Sequence, residues 1–160
     1  MPFQKWSCLL ENEMQKQLSK CPAKFPQIND FGHNMMTIYD HKGVYALPHS
    51  EVRNALRDWW SELDIYGISD PVVKFTSEDL HNFANMVFAD NTEIGCSYAS
   101  CEKDRRVLIG CLYRRNGAVK NQVLYSSGRA CKYNVDCETY KNSKCLRDGL
   151  CNKGRFHEWT

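Results

Sequence analysis

The chain has no C-x-x-C pair and no Cys/His spacing of the kind that builds a zinc site, although it carries nine cysteines in 160 residues. This sets aside the zinc-finger and thioredoxin-type readings of a cysteine-rich sequence. So many thiols without such spacing point to disulfide bonding in an oxidising compartment. No run is apolar and long enough to cross a membrane as a helix. Met1 to Trp6 lacks the apolar stretch of a signal peptide. Charge of neither sign dominates: 21 Lys and Arg stand against 19 Asp and Glu, for a formal charge of +2. That balance gives no electrostatic argument for nucleic acid, and none is expected as a partner. There is no N-x-S/T sequon, no Arg-Gly-Asp triplet, no long repeat and no low-complexity tract. No Ser or Cys stands beside a base that a third group orients, as nucleophilic chemistry requires.

What is present is organised around Leu80 to Tyr113. Leu80, Phe83, Ala84 and Val87 share one helical face. Thr76-Ser77-Glu78-Asp79 precedes them as a capping box, with Asp79 reaching back to Thr76. The period then changes to two, with Ile94, Cys96 and Tyr98 alternating with Gly95, Ser97 and Ala99. Arg105 to Tyr113 supplies a second strand, apolar without alternation, which is the pattern of a strand covered on both faces. The basic residues from Lys103 to Arg106 and at Arg114-Arg115 read as the solvated rim of this hairpin, with a polyanion site as the other reading.

Before this stretch, Lys5 to Cys21 reads as a helix with an apolar stripe at Trp6, Leu9, Leu10, Met14 and Leu18, stopped by Pro22. Pro22 to Asp30 and Asp40 to His49 read as loops. Ser50 to Tyr66 is a helix with Ser50 as N-cap, an apolar stripe through Val52, Ala55, Leu56, Trp59, Trp60, Leu63 and Tyr66, and Gly67 as stop. After the hairpin, Cys131, Cys137, Cys145 and Cys151 are separated by five, seven and five residues. A segment this small cannot bury a core of its own, and two bridges worth ~3 kcal/mol each would hold it.

Phe83-Ala84-Asn85-Met86-Val87-Phe88 followed by Ile94-Gly95-Cys96 resembles the G-H-Y-T-Q-[ML]-[VA]-W … [IL]-G-C signature of the CAP superfamily. Cys111-Leu112-Tyr113 with Gly117, Val123 and Tyr125 resembles its second signature. Trp60-Ser61-Glu62-Leu63 with Tyr66 is similar to W-x-x-E-x-x-x-Y, and Gly32-His33-Asn34 falls where the family has G-E-N. Gly128 to Lys153 is similar to the short cysteine-rich tail of nematode venom-allergen-like and Ancylostoma-secreted-protein-like members. The resemblance implies an α+β fold, the CAP α-β-α sandwich with a small antiparallel sheet between helices and a disulfide-rich C-terminal tail. Its parts would be a CAP domain over 1–127, the tail over 128–153 and a loose C-terminus over 154–160. It also implies bridges Cys96–Cys111 and Cys21–Cys101. In the tail it implies Cys131–Cys145 and Cys137–Cys151, with sequential pairing as the competitor.

The family's first helix, with its H-N-x-x-R motif, has no match here. The cysteines indicate secretion and the first residues carry no leader, so the natural protein is expected to begin upstream of Met1. Cys8, left over by the pairing, is then expected to bond an upstream cysteine natively, or else to be a buried free thiol. In this chain it would lie on a bare apolar patch beside the first helix and favour a homodimer.

The resemblance further implies a cleft in which two His and two Glu converge, in some members on a divalent metal. Carried over by position, the first His is absent, the Glu of G-E-N is His33, the Glu of W-x-x-E is kept as Glu62, and the second His falls on Asn82 with His81 beside it. Two arrangements follow. Either His33, Glu62 and His81 hold zinc, although neighbours on a helix point ~100° apart, or the cleft is metal-free, with Glu62 accepting a hydrogen bond from His33. The second is the expected one, with no cofactor and no catalytic residue. Asn82 and Asn85 are expected to bond loop backbone. The function implied is that of a secreted, non-enzymatic binding protein acting on a host or cell-surface protein. A sterol or fatty-acid carrier and a metal-dependent hydrolase stand as alternatives.

Overall fold

The computed structural model describes residues 4–25, 28, 31–39 and 48–153. Most of the expected Asp40–His49 loop, part of the Pro22–Asp30 loop and the Gly154–Thr160 end lie outside the described residues. Four strands form one sheet in the order β1-β3-β4-β2: β1 (Lys5–Trp6), β2 (Gly32–Tyr39), β3 (Glu93–Cys101) and β4 (Arg106–Tyr113). β4 is central and antiparallel to both β3 and β2, while β1 adds a short parallel rung beside β3. This explains the unbroken apolar character of β4. Alternate side chains leave a strand on opposite faces, and here both faces are covered. Leu108 and Leu112 pack with Leu10, Met14 and Leu18 of helix α1 (Cys8–Leu18). Ile109, Cys111 and Tyr113 pack with Ala55 and Trp59 of helix α2 (Pro48–Tyr66). Helix α3 (His81–Val87) buries Phe83, Ala84 and Val87, and Leu80 just before it, against Phe75 and Leu124. The result is helix on sheet on helix, as expected. Gly95 lets the first layer close: a Cβ there would collide with the backbone of Leu10 and Glu11.

Several local expectations need correction. Lys5 and Trp6 are strand, because Lys5 N–H donates to Thr92 O and Ser7 N–H to Ile94 O, both at 2.8 Å. Backbone held by β3 cannot begin a helix, so α1 starts at Cys8. Its buried stripe is Leu10, Met14 and Leu18, whereas Trp6 and Leu9 are 56% and 76% exposed. α1 ends at Leu18, ahead of Pro22. α2 begins at Pro48, so Ser50 lies within it rather than capping it. On its stripe, Trp60 and Tyr66 are exposed. Gly67, at φ +66°, ends it as expected, donating to Leu63 O. Ser77 caps the 3-10 turn before α3, its hydroxyl accepting from Asp79 N–H at 3.2 Å, so Thr76 is not the cap. Arg106 is no rim residue. It is 7% exposed, and its guanidinium donates to Cys21 O at 2.7 Å and Pro22 O at 3.0 Å and pairs with Asp104.

The structure joins Cys21–Cys101, Cys96–Cys111, Cys131–Cys145 and Cys137–Cys151, the pairs the resemblance implies. In the tail, β5 (Lys144–Cys145) and β6 (Cys151–Asn152) form a two-stranded ladder. The tail is docked on the sandwich by the Tyr140 hydroxyl, which donates to Ala89 O at 2.9 Å. Cys8 is exposed, which excludes the buried free thiol.

Candidate functional site

A cleft of about 810 Å³ opens between the start of β2, the N-terminal turn of α3 and the loop after β4. Its walls include Phe31, His33, His81, Phe88, Asn116 and Gln122. Behind these walls lies a set of buried asparagines. Asn34 Nδ2 donates to Asn82 O at 3.0 Å and to the Tyr113 hydroxyl at 3.2 Å. Asn85 Nδ2 donates to Asn34 Oδ1 and to His33 O, each at 3.2 Å, and Asn85 Oδ1 accepts from Gly117 N–H at 2.9 Å. Asn91 Nδ2 donates to Asn85 O and Arg115 O at 3.0 Å, and Asn91 Oδ1 accepts from Arg115 N–H at 2.7 Å. Asn34, Asn85 and Asn91 are 0–1% exposed. Buried amides are costly unless paired, so each holds its neighbours in one arrangement. Together they tie β2, α3 and the 114–117 loop into a rigid cleft wall. Gly117 is needed because a Cβ there would press on Ala84 O and Phe88.

The four positions carried over as the cleft residues fall into two pairs, Glu62 with Asn82 and His33 with His81. Glu62 accepts from Asn82 Nδ2 at 2.6 Å and from Phe83 N–H at 2.8 Å. Its carboxylate therefore serves as an anionic clamp on the first turn of α3, where the helix dipole also favours it. The expected His33–Glu62 hydrogen bond is not formed: Glu62 meets α3, and the His33 ring lies against Phe25 and His81. Asn82, expected on loop backbone, is instead the partner of Glu62. Asn85 does bond backbone, of Gly117 and of β2. His33 stacks on Phe25 with ring centroids 4.8 Å apart and meets His81 edge-on at 6.0 Å. His81 Nε2 lies 3.3 Å from His33 O. Burial, and next the neighbouring His81, lower the His33 pKa, favouring its neutral form. Burial, and next the charge of Glu62, push the Tyr113 hydroxyl upward, so it stays protonated.

Among the described residues the one trio of ligand-type side chains with atoms within 4.8 Å is Cys131, Cys137 and Cys151, whose sulfurs are in disulfides. His33, Glu62 and His81 form no such group. Sequence reasoning missed Asn91 altogether and passed over Asn34, which stood in view in Gly32-His33-Asn34. Neither lies on an apolar period, and only the packing shows what their amides hold.

The model of the CAP (cysteine-rich secretory protein) family matches residues 1–113. The chain is 35% identical over 149 residues to Ancylostoma secreted protein of Ancylostoma caninum, covering 93% of this chain and 34% of that protein. Among solved structures, Na-ASP-1 superposes with a TM-score of 0.87 at 35% identity, covering 97% of this chain and 38% of that one. BmVAL-1 superposes with a TM-score of 0.84 at 28% identity, over 95% and 77%. The chain thus spans about a third of the length of the secreted protein and of Na-ASP-1.

Proposed function

This chain belongs to the CAP family, and from that premise we propose that it is a secreted, non-enzymatic binding protein acting by contact with a host or cell-surface protein. The observation that carries this is the engagement of Glu62. The one acid of the family's cleft set that is retained in place gives both oxygens to α3, leaving a cleft of aromatic, imidazole and amide groups with Asp90 and Arg115 at one end, suited to recognition. Chemistry would need a nucleophile with an oriented base, and among the described residues that line the cleft there is no such pair. CAP proteins are in general non-enzymatic, which supports the same reading. Secretion is supported by the four disulfides and by the secreted relative.

The test is saturable binding of fluorescently labelled, disulfide-intact protein to vertebrate leukocytes or platelets, lost after mild protease treatment of the cells. Native mass spectrometry of the same preparation completes it. No saturable binding, together with a stoichiometric sterol or fatty acid in the spectrum, would overturn the proposal in favour of a lipid carrier.

A further inference from the structure

Beside the cleft lies a second cavity of about 440 Å³, walled by Asp90, Glu93, Arg114, Arg115, Tyr140 and Lys153. Asp90 and Arg115 line both cavities. They border both, so the two cavities adjoin, one reaching His33 and His81 and the other the tail. We propose that the two cavities form one groove, and that it binds an extended acidic peptide segment of a partner protein. This rests on the reading of the chain as a protein-binding module and names the kind of partner.

The charges of the second cavity differ in how they are used. Arg114 is paired with Glu93 at 3.4 Å. Asp90 lies 3.5 Å from the Tyr140 hydroxyl. Lys153 rests its ammonium 4.8 Å above the Tyr140 ring, which leaves its charge available. The Arg115 guanidinium has no partner among the described residues. The Arg115 backbone, by contrast, is held from both sides by the buried Asn91. The exposed guanidinium is a planar fork that can take a carboxylate by two hydrogen bonds, and its backbone is anchored. Tyr140 and Lys153 are held in turn by the Tyr140 bond to Ala89 O and by Lys5 Nζ, which donates to Lys153 O at 3.3 Å.

The rest of the groove indicates what carries the carboxylate. Phe31, Phe88 and Val119 offer apolar surface in the first cavity, with the amides of Asn116 and Gln122 beside them. A free small anion would use only the cationic end. A densely sulfated polysaccharide would meet the carboxylates of Asp90 and Glu93 in the same wall. A peptide can place an apolar side chain at the phenylalanines, a carboxylate at Arg115 and Lys153, and a neutral residue past Asp90. Extended peptides are recognised through such alternation of pockets.

The experiment is a peptide array of ~12-residue sequences that hold Leu or Phe with Glu, with Lys or with Gln, probed with labelled, disulfide-intact protein. Affinities of the best acidic peptides follow by fluorescence anisotropy. The expected result is selective retention by acidic peptides, weakened at least about tenfold by Arg115→Glu with Lys153→Glu. Lys103→Glu with Lys120→Glu, which change the charge by the same amount outside both cavities, should leave affinity unchanged. Asp90→Asn should tighten it. No acidic peptide bound, equal retention of the Lys series, or unaltered affinity in the double variant would each overturn the proposal. So would a heparin hexasaccharide that binds at Arg115 while no peptide competes with it. The two readings separate on cells. A double variant that still binds cells like the wild type removes this groove but not the binding function. A wild type that ignores cells removes the function while the array decides the groove.

Discussion

The sheet core and the cysteine-rich tail contain two disulfides each, and the bridges do different things in the two regions. In the core, Cys96 and Cys111 face each other in an existing β3–β4 register, surrounded by buried Ile109, Tyr113 and Trp59. The second core bridge ties Cys21, just past α1, to the end of β3, where Arg106 already holds the same turn by its carbonyls. These bridges reinforce what burial has built. In the tail the largest apolar groups are left outside: Tyr133 is 70% and Val135 79% exposed. The tail residues that are buried are Cys131, Cys137 and Ser143. There the sulfurs are themselves the core, as expected for a segment too short to bury one. Two bridges therefore count as reinforcement in one region and, beside the β5–β6 ladder and the Tyr140 dock, as the main support in the other.

The most damaging single test of this contrast is Leu18→Ala. Leu18 is fully buried between α1 and the sheet. Its truncation should cost about 2–5 kcal/mol, read as a lowered midpoint in thermal or urea unfolding with all four bridges intact. A loss well below that range would mean the core bridges carry the fold and the contrast fails. Next comes Cys137→Ser with Cys151→Ser. Amide exchange across the tail should speed up by an amount equivalent to ~3 kcal/mol of local stability, while the core amides and the main unfolding transition stay where they are. Loss of the core along with the tail would make the two regions one cooperative unit.

Glu62→Gln sharpens the comparison inside the core. The amide would turn an NH2 toward one of two donors, Asn82 Nδ2 or Phe83 N–H, and should cost about 1–3 kcal/mol of stability. Urea unfolding measures it. No change would remove the structural role assigned to this carboxylate.

The smallest effect is that of pH. His33 in the folded protein has a pKa below its ordinary value, chiefly through burial and then through His81. The unfolded chain therefore binds the proton more readily. The stability linked to His33 is present above the ordinary histidine value of ~6.5 and is lost as pH falls through that value toward the folded pKa. Urea midpoints for wild type and His33→Gln at pH values on either side of that window should show the variant with the shallower decline. Equal slopes would place the titration in another group.

Much of this protein is legible in its residues. The unbroken apolar run of β4, the 3.6-period stripe of α2 and the Ile94-Gly95-Cys96 turn of phrase are local patterns, and local patterns report which faces are buried. The bridges came from resemblance, since spacing alone left the tail pairing open. The cleft chemistry was not legible. Whether Glu62 meets His33 or the first turn of α3 depends on the angle at which α2 crosses the sheet, and no period in the sequence encodes that angle. The same holds for Asn34, Asn85 and Asn91, which are far apart in the chain and ordinary in composition until packing brings their amides together. Trp6 failed for a related reason: its spacing suits a stripe, but β1 pairs with β3 and the helix begins only after it, while Leu9 lies on α1 outside the buried stripe of Leu10, Met14 and Leu18. The sequence by itself determined the stripes of α2 and α3, the β3–β4 hairpin and the cysteines available to bridge them, because those follow from hydrophobic period and residue type, while the layered sandwich came from the resemblance. Only the tertiary structure decided which polar groups pair, because a hydrogen bond depends on distances of a few ångströms between residues that the chain order keeps apart.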